Sequence, residues 1–233
     1  MIRDSLKDHL DHDPDFVWRG QSVTRIENLS DIVFALSLGM MVSASEPPQT
    51  MGDLTRFLIS IVPVTAGFAI LLGIWNSHFV FFRRYGLADG RVVFINACLL
   101  FAVLYLAFPL RFAFDSFFGF VLMTAGDPSW ITERDIDFDD SGVIMAYFAG
   151  GFAVLQSLMS ALFSHAVSKR EVLELSKHEI SLTRFSRTSA LITATVAVGV
   201  GVLALVTPLN GFAGVFMFLN WPIIWLASKR HGV

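Results

Sequence analysis

Five stretches of the 233-residue chain are almost free of charge over about twenty residues or more: 57–82, 91–114, 142–167, 188–207 and 210–228. A bilayer core about 30 Å thick is crossed by about 20 apolar residues in a helix, and backbone groups in lipid must find their hydrogen bonds within the helix itself. Each stretch therefore predicts a transmembrane helix. A sixth is shorter. Residues 32–42, IVFALSLGMMV, are strongly apolar, but they span the bilayer only if the helix begins near Arg25 and carries Glu27, Ser30 and Asp31 into or near the membrane. Such burial is costly and marks a functional position. The pattern predicts an all-α membrane protein with six transmembrane helices. Residues 1–24 form an N-terminal segment, and residues 25–233 form one membrane domain without a soluble domain or convincing internal repeat.

Composition agrees with this pattern. Hydrophobic residues make up 54% of the chain and charged residues 16%, against roughly 25% charged in a soluble domain; the mean hydropathy is +0.61. Cys98, the single cysteine, reads as small core filler. The first twenty residues hold no apolar run of the signal-peptide kind, so the first span is expected to direct insertion. Counted by segment, 14 Lys and Arg, from Arg3 to Arg230, fall on one side; Arg56, Arg111 and Arg134 fall on the other. The positive-inside rule then places both termini in the cytoplasm. The loop between the third and fourth spans is acidic, with Asp127, Glu133, Asp135, Asp137, Asp139 and Asp140. It lacks the glycine and glutamate of a calcium loop and reads as a solvated region that concentrates cations. The connection between the fourth and fifth spans lacks Gly and Pro and is expected to extend both flanking helices.

The first helix has two faces. At about 100° per residue, Met40 and Ser43 lie within about 40° of Leu36, and Gly39 lies about 60° to one side. Asp31 and Ser30 project about 140° and 120° away from Leu36. The apolar stripe could face lipid, another helix or a pore, whereas Ser30 and Asp31 need polar partners inside the protein. Trp75, Asn76 and His78 near the end of the second helix, and Asn96 near the start of the third, lie at a matching depth. Together they form either a structural hydrogen-bond knot or a proton relay or cation site built on Asp31 and His78. Arg25, about 16 Å below Leu36 on a continuous helix, falls on the stripe side. It reads as a cytoplasmic anchor or as a residue of the inner mouth.

The run RIENLSD, from Arg25 to Asp31, resembles the R-x-x-x-F-S-D signature of the transmembrane protein 175 potassium channels, with Leu29 in place of Phe. Trp75, His78, Asn96 and Pro109 are similar to family positions, and six helices match the single-repeat bacterial form. The resemblance implies a homotetramer with helix 1 of each copy lining a central pore. It also implies a constriction of large apolar side chains in place of a carbonyl filter. By that resemblance the ring falls at Leu36 and continues at Met40 and Ser43, with Gly39 adjacent, and Arg25 has a structural role. A weakly hydrated ion loses least in an apolar ring, so potassium is expected to pass more readily than sodium.

The function so implied is a potassium-preferring cation channel, multi-pass in a bacterial inner membrane. Its partners would be potassium and other monovalent cations, the lipid bilayer and further copies of itself; no cofactor, metal or nucleic acid is expected. Enzyme chemistry has no motif in the chain. The alternatives are a proton-coupled secondary transporter using Asp31 and His78, and a non-conducting scaffold. The repeats and midplane helix breaks common in such carriers are not visible in the sequence.

Overall fold

The computed structural model describes residues 15–43, 47–132 and 138–231, without the side chains of residues 138, 139 and 231. Arg3, Lys7, Glu133, Arg134, Asp135, Asp137 and the side chain of Asp139, used above for orientation and for the acidic loop, lie outside the described residues. The described residues form helices α1 (Arg25–Ser43), α2 (Met51–Ile59), α3 (Ile61–Tyr85), α4 (Gly90–Thr124), α5 (Ser129–Thr132), α6 (Phe138–Ser168) and α7 (Lys177–Val206). A 3₁₀ segment, η1 (Asn210–Leu219), and α8 (Asn220–His231) follow. Six of the resulting spans are long and apolar enough to cross a membrane: Arg25–Ser43, Met51–Tyr85, Gly90–Thr124, Asp140–Ser168, Lys177–Val206 and Asn210–Arg230. The fold is all-helical with six spans.

Short polar motifs set the helix starts. Thr24 and Glu27 exchange hydrogen bonds between side chain and backbone N–H (2.6 and 3.3 Å), and so close the first turn of α1. Thr50 with Asp53 does the same for α2, and Ser176 with Glu179 for α7. Asp89 accepts from the N–H groups of Arg91 and Val92 at the start of α4. Each cap satisfies donors that a helix leaves open, at about 1 kcal/mol apiece.

Several boundaries differ from the apolar pattern. The second span is broken at Ser60, whose hydroxyl donates to the Phe57 carbonyl (2.8 Å). The amphipathic α2 before it buries none of its residues within the chain. Helix α4 continues ten residues past the predicted end at 114 and passes through Pro109 without interruption. The final span opens as the 3₁₀ segment, with Asn210 at φ 46°. Between α6 and α7 the expected double extension is half wrong. Helix α7 does begin early, but α6 stops at Ser168 and a turn with Glu174 at φ 49° follows. The Ser176–Glu179 box restarts the helix there, a signal that the absence of Gly and Pro conceals.

Helices α6 and α7 make the most extensive pairing, α4 packs against α6, and α1 lies across α4 and α3. Gly67 on α3 allows the closest approach, since a Cβ there would collide with the Met41 side chain of α1. The segment preceding α1 is docked onto the bundle. The N–H groups of Arg19 and Gly20 both donate to the Arg83 carbonyl (3.1 and 3.0 Å), and the Arg83 guanidinium returns a bond to the Gly20 carbonyl (2.9 Å). Arg19 also donates to the carbonyls of Leu173 and Glu174 (2.6 and 3.2 Å) and pairs with Glu179 (2.8 Å). The chain entering α1 is thus fastened to the end of α3, the α6–α7 turn and the start of α7.

Candidate functional site

Helix α1 divides along its length. Glu27, Ser30, Phe34, Ser37 and Met41 are buried within the chain, a three-and-four spacing that defines one face. Leu29, Ile32, Leu36, Gly39 and Ser43 are exposed on the other, and Met40 is half-buried at its edge. Leu36 is 55% exposed. The single chain therefore leaves uncovered the stripe that holds Leu36, Gly39, Met40 and Ser43. Arg25 is exposed on the first turn of the helix. Leu38, about 160° from Leu36, packs against the main hydrophobic cluster, so a change there perturbs the core and cannot serve as a neutral comparison for Leu36.

Polar side chains tie the buried face of α1 to its neighbours. Ser30 donates to the Ile26 carbonyl (2.8 Å) and accepts from Asn96 Nδ2 of α4 (3.0 Å). Asn96 Oδ1 lies 2.7 Å from His78 Nε2 of α3. All three side chains are buried, with His78 and Asn96 each 2% exposed, and the imidazole packs between the rings of Phe34 and Phe82. One amide thus joins three helices through a serine and a histidine, and satisfies groups that hydrocarbon would leave unpaired.

Asp31 stands apart from this chain of bonds. One carboxylate oxygen accepts from Trp75 Nε1 (2.8 Å), and the indole stacks on Phe79. Asp31 is exposed in the single chain, which corrects the expectation of an enclosed carboxylate. No direct bond joins it to His78: the one is held by Trp75, the other by Asn96. Asn76 is exposed on the turn between them.

Glu27 is the buried carboxylate of α1. Besides closing the helix start, it lies 3.3 Å from Arg83 of α3. At the opposite end of the spans, Arg111 of α4 is 3% exposed. Its Nε donates to Asp115 Oδ2 (2.8 Å) and its Nη1 to the Met41 carbonyl of α1 (2.9 Å). Sequence counting treats Arg111 as a charge of the outer side, whereas the structure encloses it in the bundle. The spacing of Arg111 and Asp115, four apart inside an apolar run, is the signal that identifies such a pair.

Beyond these contacts lie likenesses to known proteins. Residues 25–106 match the family described as endosomal/lysosomal potassium channel TMEM175. A potassium channel of Marivirga tractuosa is 28% identical over 223 residues, which cover 91% of this chain and 88% of that one. The crystal structure of a variant of the potassium channel MtTMEM175, bound to a nanobody–MBP fusion protein, superposes with a TM-score of 0.75 at 26% identity. It covers 95% of this chain and 98% of its own. A homologue, from Chamaesiphon minutus, of the lysosomal potassium-selective channel TMEM175 gives a TM-score of 0.51 at 19% identity and supports the fold alone; 89% of this chain and 95% of that one are covered. The family match begins at Arg25, the first residue of α1, and takes in the whole polar assembly from Glu27 to Asn96. With six spans, and with relatives aligned over nearly its full length, the chain is similar to the TMEM175 potassium channels.

Proposed function

We propose that the chain is one subunit of a potassium-permeable cation channel, in which four copies place α1 around a shared axis. The observation that carries this reading is the division of α1. Its polar and aromatic face is used up within the chain, while the stripe through Leu29, Ile32, Leu36, Gly39 and Ser43 is left uncovered. A single copy encloses no path along that stripe; copies arranged around an axis do. The relatives described as potassium channels support the same reading.

In this arrangement Leu36 forms the narrowest ring, and Met40, Ser43 and the adjacent Gly39 form the layers beyond it. An ion entering the ring gives up part of its hydration and receives nothing in exchange, so the weakly hydrated potassium ion passes at lower cost than sodium. Selectivity then follows from the size and dryness of the ring, and the Ser43 layer is wetter than the Leu36 layer. The Ser30–Asn96–His78 assembly and the Trp75–Asp31 bond hold the rotation of α1, which decides whether Leu36 faces the axis. Arg25 anchors the entry to the helix. The end rich in Lys and Arg, including the docked segment before α1, faces the cytoplasm, and the protein resides in a bacterial inner membrane.

Purified protein reconstituted in liposomes tests this reading. A passive, ohmic potassium current that persists without a proton gradient supports the channel. Saturable flux driven only by a pH gradient would replace it with a proton-coupled carrier, and absence of both would leave a scaffold.

A further inference from the structure

We infer that Arg111 is a positioning residue for the outer end of the pore-lining helix, holding the Met40 and Ser43 layers in place by bonding to the backbone of α1. The inference rests on the channel reading above and deepens it. Among the described residues α1 runs to Ser43, which places Met41 in its last described turn; the last carbonyls of a helix have no partner within it. Water serves such groups at an exposed helix end. Here the Met41 side chain is fully buried, and its carbonyl accepts from Arg111 Nη1 at 2.9 Å. The guanidinium is itself held by Asp115 Oδ2 at 2.8 Å on the same helix, and the Asp115 carbonyl accepts from Trp130 Nε1 at 3.1 Å. The line of contacts therefore runs from α5 through α4 to the end of α1.

Four features separate this from ordinary packing. A charged pair at 3% and 7% exposure within a membrane span is costly and marks function. The planar fork of arginine reaches a carboxylate and a carbonyl together, which a lysine ammonium on a flexible stem does not reproduce. The carbonyl that it holds belongs to the residue between Met40 and Val42, one position from the outer part of the stripe. The positive guanidinium also complements the negative end of the helix dipole. Loss of the fork frees the last turn of α1, and the outer layers move off the axis while the Leu36 ring, more than one turn below, keeps its place.

The test compares wild type with Arg111→Lys in planar bilayers, with assembly checked by light scattering. The expected result is an assembly of unchanged size whose unitary potassium conductance rises about twofold or more as the outer layers loosen. Ser43→Ala should alter conductance in wild type and have little further effect in the Arg111→Lys background. If Arg111→Lys does not assemble, an ester in place of the amide between Met41 and Val42 weakens the same acceptor without burying an unpaired charge, and should raise conductance in the same direction. An Arg111→Lys assembly that conducts as wild type does, an ester variant that conducts as wild type does, or an equal Ser43→Ala effect in both backgrounds would overturn the inference and leave the channel intact. A non-conducting wild type would overturn the channel reading, and this inference with it.

Discussion

Replacing Asn96 by Ala removes a side chain that joins α1, α3 and α4. Two bonds are lost: the donation to Ser30 Oγ at 3.0 Å and the 2.7 Å contact with His78 Nε2. Side-chain hydrogen bonds within membranes average about 0.6 kcal/mol, so the pair accounts for about 1 kcal/mol. The remaining groups fare differently. Ser30 keeps its donation to the Ile26 carbonyl. His78 is left with its Nε2 facing a void between Phe34 and Phe82, where an unsatisfied polar atom costs about 1–3 kcal/mol. The sum is about 2–4 kcal/mol, or about 5–15 °C in melting temperature for a chain of this size. Asn76→Ala, at an exposed position nearby, should cost less than about 0.5 kcal/mol. Thermal melts in mild detergent, read by the fraction that remains assembled on size-exclusion chromatography, measure both. Equal melting of the two variants, or an Asn96→Ala shift below about 2 °C, would refute the reasoning.

Further outcomes follow from the same contacts. Asp31→Ala loses one exposed bond from Trp75 and should cost only about 0.5–1 kcal/mol in the same melts, well short of Asn96→Ala. Glu27→Ala removes both a helix cap and the carboxylate beside Arg83, and should destabilise by about 2–4 kcal/mol; Glu27→Gln should recover part of that loss by retaining the cap. Asp89, outside the spans, is held below the usual carboxylate range, chiefly by its hydrogen bond with His165. A carboxyl whose folded pKa is depressed contributes stability above its unfolded value, about 3.9, and loses it as pH falls through the folded pKa. Asp89→Asn should therefore flatten the loss of melting temperature between about pH 4 and more acid conditions, and a variant that follows the wild-type curve would contradict this.

The spans were legible because lipid imposes one rule on every long apolar run, and five of the six lay in plain view. The start of α1 was legible for the opposite reason: Glu27, Ser30 and Asp31 made no sense in a loop bordering so short an apolar stretch. Pairing was less legible. Depth alone placed Asp31, Ser30, Trp75, His78 and Asn96 near one another, but not which bonded to which. The division into Trp75–Asp31 and Ser30–Asn96–His78 depends on the rotation of three helices. The break at Ser60 and the 3₁₀ turn of η1 lay inside apolar sequence, where composition is nearly silent about helix type. Arg111 was misread because counting charges by segment assigns an arginine near the end of a run to the water outside, and only the Met41 carbonyl and Asp115 show it to be enclosed. Leu38, about 160° from Leu36 on the same helix, packs on the core because α1 is flanked by both α3 and α4.

The channel account stands or falls on whether Leu36 meets the permeating ion. Bi-ionic reversal potentials with potassium on one side and sodium on the other measure this directly, for wild type, Leu36→Ala and a comparison at Val202. That residue is 53% exposed on α7, a helix that packs chiefly on α6, η1 and α8. A smaller side chain at the ring leaves the ion more of its hydration, so Leu36→Ala should raise the total cation current and shift the reversal potential toward zero as potassium preference erodes. Val202→Ala should leave both unchanged. Reversal potentials that are the same in all three proteins, or that shift equally at Leu36 and Val202, would contradict the assignment of the α1 stripe to the ion path.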